Sequence, residues 1–215
     1  MSSMLYGCFL CIIIPLAVMT VLLDRSSRVL ILFVMIGAFQ FLFSQTVADV
    51  LPSVFPNVET EYLMTTYSPI ITELSKAIPV VLYAFFRSAD QKTLLQLSIS
   101  AGTGFAILES LYALFTADEN SFFASLLLIV IFILINTVCT SLVGIGIAYI
   151  IKSAKYFFYS ALGLFAIAAT LRGILNLFVA AGEYFSGALL CVVIYLSAVI
   201  VIFRRDRQKR IRLRL

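Results

Sequence analysis

Histidine is absent from this sequence of 215 residues, and its absence excludes several kinds of active site. A catalytic serine or cysteine paired with histidine needs the imidazole as general base, so neither pair exists here. Zinc is usually held by histidine or by clustered cysteines. The cysteines all lie within apolar stretches, where packing is their expected role. They are Cys8, Cys11, Cys139 and Cys191. We therefore expect no bound metal and no cofactor.

Charged residues are also scarce, at 12% of the chain against 62% hydrophobic residues, and the mean hydropathy is +1.10. These values exclude an ordinary soluble domain. Apolar runs of about 20 residues are long enough to cross a bilayer. The sequence predicts an all-α, polytopic membrane protein with about seven transmembrane helices, at residues 4–23, 29–45, 68–86, 94–115, 122–151, 156–179 and 184–203. Residues 1–203 are predicted to form a single integral membrane domain, followed by a basic cytoplasmic tail at 204–215.

Basic residues fall in alternate connections between the predicted spans, whereas the other connections carry only acidic residues. Since basic residues mark the cytoplasmic side, this alternation predicts an N-terminus outside and a C-terminus in the cytoplasm. The net charge of +4 is then an orientation signal and does not indicate a nucleic-acid partner. The basic tail is expected to contact anionic lipid headgroups or to act as a stop-transfer anchor. Small size and regular alternation favour a bacterial plasma membrane.

Four charged residues lie inside the predicted spans, and each would cost roughly 2.5–3.5 kcal/mol if it were unpaired at the centre of a bilayer. They are Glu73, Lys76, Glu109 and Arg172. In the predicted topology all four lie at a similar depth in the outer half of the membrane. Two acids and two bases form a neutral set, so we expect them to face inward and to pair, for example Glu73 or Glu109 with Arg172.

Polar residues at helical spacing reinforce this convergence. Arg172 and Asn176 are four residues apart, as are Asn136 and Thr140, so each pair lies on one helix face. Polar faces that meet at one depth indicate a site or a polar lock between helices. The candidate binding residues are Lys76, Arg172, Asn176 and Thr140.

Four short segments follow one another on consecutive predicted spans. They read ITELSKAIP at residues 71–79, AGTGFAILESLY at 101–112, NTVCTSLVG at 136–144 and LRGILN at 171–176. Their order and content resemble the motifs of the PrsW-type intramembrane proteases, which are related to the CAAX-processing and bacteriocin-immunity membrane proteases. The resemblance covers about residues 68–176, and the glycine-rich second segment is its most specific part.

The resemblance implies a site in which glutamate and histidine activate a water molecule for peptide-bond cleavage, with a metal ion as a further option. The positions that match the family's glutamates are Glu73 and Glu109. The chain departs from the pattern at Thr72, where the family has glutamate, and at Asn136 and Arg172, where it has histidine. Ser110 replaces an asparagine. Asparagine is a poor metal ligand and arginine repels a divalent cation, so the site is degenerate and a metal is not expected.

Three functions stay open from the sequence, and the residues favour the first. A pseudoprotease of this family would bind or shield a membrane-spanning or secreted client through a polar pocket in the outer leaflet. An active glutamate-dependent intramembrane endopeptidase would use Glu73 as base, Glu109 as supporting acid and Arg172 to stabilise the oxyanion. A transporter or channel component fits the composition without a motif of its own. Two ion pairs that only fix the helix register are the structural alternative to all three.

Overall fold

The computed structural model of the chain describes residues 25–87, 90–116, 122–152 and 157–212. Within these ranges the chain is helical and contains no strand, which confirms the predicted all-α class. The long helices are α1 (Arg25–Val54), α2 (Ser68–Phe86), α3 (Gln91–Thr116), α4 (Phe122–Lys152), α5 (Gly163–Ala180) and α6 (Tyr184–Arg212). Short π-helices at Leu63–Tyr67 and Phe157–Leu162 run directly into α2 and α5.

Five of these helices are long and apolar enough to cross a membrane. The spans are Ser27–Val54, Thr65–Phe86, Gln91–Phe115, Phe122–Ile150 and Gly163–Ala180. The predicted span at 184–203 falls on α6, whose apolar part, Tyr184–Ile200, is shorter. The predicted span at 4–23 lies outside the described residues. The chain is thus an integral membrane protein by its helices and composition, and the count of seven and the orientation of the termini stay predictions.

The connection between the first two described helices is shorter than the sequence suggested. We expected α1 to end at residue 45, but it continues to Val54 and includes Pro52 in its last turn. Apolar residues at 47, 50 and 51 keep the helix packed or in contact with lipid, and a proline so near the end costs only one backbone hydrogen bond. The predicted bounds of α2, by contrast, agree with the observed Ser68–Phe86.

Among the described helices, α4 lies at the centre of the bundle, and α3 packs between α1 and α4, its most extensive neighbours. Glycines allow α1 and α3 to approach closely: a Cβ atom on Gly37 would lie under 3.0 Å from the Ala101 carbonyl oxygen. A Cβ atom on Gly104 would overlap the Val34 carbonyl in the same way. Close backbone contact at small residues is a typical mode of helix packing in membranes. This contact fixes how α3 is rotated, and so where its Glu109 points.

An apolar core surrounds α4, and large hydrophobic side chains cover the outside. Ile131, Ile135 and Leu175 are almost fully buried, whereas Phe85 and Phe122 are 82% and 79% exposed. In a bilayer such outward side chains face lipid, which is the arrangement expected of a membrane bundle. The two described cysteines, 139 and 191, are buried and free, as their predicted packing role requires. Cysteines 8 and 11 lie outside the described residues.

Candidate functional site

The four charges inside the spans meet in the middle of the bundle as two ion pairs. Lys76 Nζ lies 2.5 Å from Glu73 Oε1, one turn away on α2, and both side chains are almost completely buried. Arg172 on α5 pairs with Glu109 on α3, with side-chain exposures of 5% and 12%. In the structure Arg172 therefore pairs with Glu109, and Lys76 pairs with Glu73.

The side chain of Asn136 on α4 joins the two pairs. Its Oδ1 accepts hydrogen bonds from Lys76 Nζ at 2.9 Å and from Arg172 Nη1 at 3.1 Å. Its Nδ2 donates to Glu109 Oε2 at 2.7 Å and to the Phe132 carbonyl at 2.7 Å. An amide has two donor hydrogens and two acceptor lone pairs, so Asn136 uses all of its capacity. Its orientation is fixed, because the oxygen must face the cations and the nitrogen the acceptors.

Aromatic rings complete the surroundings of the cations. The Phe105 ring centroid lies 4.9 Å from Lys76 Nζ and 6.0 Å from the Arg172 guanidinium carbon. Phe132 lies 5.8 Å from the same guanidinium carbon. Rings at this distance attract a cation through their quadrupole, most strongly where water is excluded. The cluster holds two carboxylates and two cations and is neutral as a whole, which reduces the cost of burying it. Asn136, Glu73, Lys76, Glu109 and Arg172 are called the polar cluster below.

A cavity of about 310 Å³ lies beside the polar cluster. It extends toward the end of the bundle where α1 and α5 end and α2 begins. Glu109 and Arg172 form part of its wall, whereas Glu73 and Lys76 do not reach it. The other polar residues of the wall are Ser44, Gln45, Ser68, Thr72, Tyr112 and Asn176. The wall of the cavity thus combines hydroxyl and amide groups with apolar side chains, among them Phe41, Phe105, Phe132 and Val179.

Thr140, on α4, does not reach the cavity, whereas the candidate binding residues Arg172 and Asn176 on α5 form part of its wall. Its hydroxyl donates to the Asn136 carbonyl at 2.6 Å, and the residue is 3% exposed. A Cβ atom on Gly102 would overlap the Thr140 hydroxyl, so the glycine lets α3 lie against α4 at this point. Thr140 therefore packs against α3 one turn after Asn136 and bonds the backbone of that residue.

Sequence reasoning missed a second polar group, between α1 and α2. The hydroxyls of Ser44 and Ser75 lie 2.8 Å apart, Ser75 donates to the Thr72 carbonyl at 2.9 Å, and Gln40 donates to the Ser75 carbonyl. Gln40 and Ser44 are 7% and 6% exposed. Their spacing of four residues on an apolar span was the available signal. These bonds hold α1 against α2 beside the cavity, and they place Thr72 in its wall.

The donor atoms of the polar cluster do not fit a metal ion. No group of three or more acidic, cysteine or histidine side chains comes together within the described ranges. Oε1 of each buried glutamate is bonded to a cationic side chain, and Asn136 Oδ1 accepts from both cations. A divalent ion needs several free oxygen, nitrogen or thiolate ligands. In the site as built, Lys76 and Arg172 occupy these oxygens and their two positive charges repel a further cation.

Comparison with protein families gives one match. The family model described as PrsW family intramembrane metalloprotease matches residues 25–203, which includes α1 to α5 and most of α6. The match extends beyond the 68–176 segment that carries the four motifs. No curated protein and no solved structure matches the chain.

Proposed function

The chain belongs to the PrsW family of intramembrane metalloproteases, and we propose that it is a catalytically inactive member that binds or shields a membrane-spanning or secreted client through the cavity beside the polar cluster. The observation that carries this proposal is that every charged side chain of the polar cluster is paired with another one. Both glutamates that match the family's catalytic positions are bonded to cations of the same chain.

Neither glutamate is arranged as a general base. A base must reach the proton of a bound water or substrate at about 2.6–3.2 Å. Glu73 is 0% exposed and absent from the cavity wall. Glu109 reaches the wall, but Arg172 bonds one of its oxygens and Asn136 the other. Proton abstraction by Glu109 would have to break bonds that hold three helices together.

The cavity has the character of a binding site for an uncharged segment of polypeptide. Because Glu109 and Arg172 neutralise each other, the wall gives little attraction to either a free anion or a free cation. Hydroxyl and amide groups such as those of Ser68, Thr72 and Asn176 both donate and accept hydrogen bonds, as peptide groups require. Small ligand sites usually begin at about 300 Å³, so a cavity of about 310 Å³ suits a short stretch of chain.

An active endopeptidase is the second candidate function, and the observation that favours it is one unbonded oxygen atom of Glu73. Glu73 Oε2 is buried and has no hydrogen-bond partner within the described part of the chain. This oxygen is not bonded to either cation, so it could accept a hydrogen bond from a water molecule that entered the cluster from the cavity, as glutamate-based hydrolysis requires. The Glu73→Gln variant separates the two functions once its melting temperature shows that it is folded, because it removes the base and leaves an amide oxygen that can accept from Lys76.

The test is client capture by photo-crosslinking in membranes, with the photoreactive residue placed at Ser68 in the cavity wall. We expect crosslinked polypeptide with the wild type and with Glu73→Gln, and a several-fold loss with Ala48→Trp, which fills the cavity from α1. Val50→Trp, on the exposed face of the same helix, is the matched control and should leave crosslinking unchanged. Equal crosslinking in the Ala48→Trp and Val50→Trp variants would contradict binding in the cavity. Cleavage fragments that disappear only in Glu73→Gln would favour the endopeptidase.

A further inference from the structure

The polar cluster contains the oxygen donors of a hard metal site, yet organic cations occupy them. Two carboxylates and one amide carbonyl converge from α2, α3 and α4, and these are groups that ions such as Mn²⁺ and Ca²⁺ prefer. Lys76 and Arg172 bring two positive charges to the same oxygens, equal to the charge of one divalent ion. Their nitrogens lie within hydrogen-bond distance of Glu73, Glu109 and Asn136.

We propose that the guanidinium of Arg172 replaces a metal ion in this protein, so that its membrane core is complete and stable without any metal. Arg172 bonds Glu109 through one terminal nitrogen and Asn136 Oδ1 through the other, and it is only 4% exposed. A guanidinium stays protonated in proteins and donates in fixed directions. It therefore provides a permanent positive charge that links α3, α4 and α5, as a structural ion would.

The geometry around the guanidinium shows that it is held as a central group of the core. Phe105 and Phe132 lie 6.0 Å and 5.8 Å from its central carbon, and Asn136 turns its oxygen toward it. A long side chain that only reached toward solvent would not have aromatic rings and acceptors on several sides. The proposal that Arg172 takes the place of a metal ion does not depend on whether the cavity binds a client.

Removal of Arg172 should uncover a latent cation site. Oε1 of Glu109 and one lone pair of Asn136 Oδ1 would then be unused, while Lys76 would still donate to the same Asn136 oxygen. Glu109 lines the cavity of about 310 Å³. Ions of the Mg²⁺ and Ca²⁺ type keep several water ligands, and the cavity has room for them. The Arg172→Met variant is therefore expected to bind a hard divalent cation that the wild type excludes.

The experiment measures the melting temperature of the full-length protein in detergent or nanodiscs, with EDTA, with MnCl2 and with CaCl2. For the wild type we expect shifts under about 2 °C in every condition, and no stoichiometric metal in the purified protein by elemental analysis. Arg172→Met should melt roughly 6–20 °C lower than the wild type because one buried carboxylate loses its partner. MnCl2 at ten times its Kd should then raise the melting temperature of this variant by about 3–6 °C.

The Glu109→Gln/Arg172→Met double variant is the matched control, since it removes both charges of one pair. It should melt closer to the wild type than Arg172→Met and should not respond to MnCl2. A wild type that loses several degrees in EDTA and regains them with metal would overturn the proposal, and this arm does not depend on any variant folding. A metal response of equal size in Arg172→Met and in the double variant would also overturn it.

Discussion

At the scale of single residues, Asn136 decides how the polar cluster is arranged. Its amide contacts both cations and one of the acids, and the residue is 0% exposed. Which acid pairs with which base was open in the sequence, because i, i+4 spacing places residues on a helix face without giving the rotation of that helix against its neighbours. The convergence of the four charges was predicted correctly, since buried charges in a bilayer must pair. The role of Asn136 as their common partner could not be predicted without the helix crossing.

The Asn136→Asp variant tests this role with almost no change in shape. The substitution turns the nitrogen that donates to Glu109 and Phe132 into an acceptor, so three acceptors would face one another in a buried place. We expect a loss of about 2–5 kcal/mol in the free energy of unfolding. Denaturant unfolding in detergent measures it. Asn176→Asp, on the cavity wall where water has access, is the matched control and should cost much less. Equal losses of unfolding free energy in Asn136→Asp and Asn176→Asp would contradict the role of Asn136 as the common partner of the charged residues.

At the scale of helices, close contacts at glycine determine where the site residues point. Gly104 lies on α3 five residues before Glu109, and its contact with the Val34 carbonyl leaves no space for a side chain. The sequence suggested that glycines 102 and 104 serve close packing, and the structure places one against α4 and the other against α1. The extension of α1 to Val54 was not predicted, because proline and polar residues after residue 45 are also typical of a loop. The contacts of Gln40 and Ser44 were missed although both residues lie inside the predicted span, because their spacing does not show which neighbouring helix their face meets.

Gly104→Ala is expected to destabilise the protein, although alanine is the better helix former. Overpacking of a tight contact costs about 1–3 kcal/mol, which exceeds the gain of up to about 1 kcal/mol in helix propensity. Gly173→Ala is the control, because the nearest atom to its added methyl group would be 3.4 Å away, and it should be neutral or stabilising. Thermal unfolding in detergent distinguishes the two variants. A stabilised Gly104→Ala variant would mean that α1 and α3 can separate at no cost.

The N-terminus of α3 carries a pH-dependent cap outside the membrane-spanning segment. Asp90 accepts hydrogen bonds from the hydroxyl and the backbone N–H of Thr93, the latter at 3.2 Å. These bonds lower the pKa of Asp90 below its ordinary value of 3.8, with the hydroxyl as the larger cause. Because the folded pKa is the lower one, the cap stabilises the helix above about pH 4, and this stability is lost as the pH falls through the folded pKa.

Asp90→Asn provides the comparison, since asparagine caps a helix without titrating. The wild type and the variant should protect the first amides of α3 equally at pH 7. Below pH 4 the wild type should lose protection and the variant should not, with a difference well under 1 kcal/mol because Asp90 is largely exposed. Hydrogen exchange followed by mass spectrometry measures this difference. Equal loss in both proteins would exclude Asp90 as its source.

At the scale of the whole molecule, the bundle combines a rigid polar centre with a cavity on one side. The family match extends over residues 25–203, so the fold is shared with a group of intramembrane proteases while the centre lacks their histidines. Composition and motif order were sufficient to predict the membrane class and the family. The cavity was not predictable, because it is formed by residues of five helices that are far apart in the sequence.

The shared bonding of Asn136 also limits how this protein can evolve. Each of its charged partners contacts another member of the same cluster, so any one substitution there leaves a buried charge or a donor unmatched. Breaking a buried pair costs about 3–5 kcal/mol, a large part of the 5–15 kcal/mol that keeps a typical protein folded. Histidine at position 136 or 172 would therefore be tolerated only if several of these residues changed together or if stability were gained elsewhere.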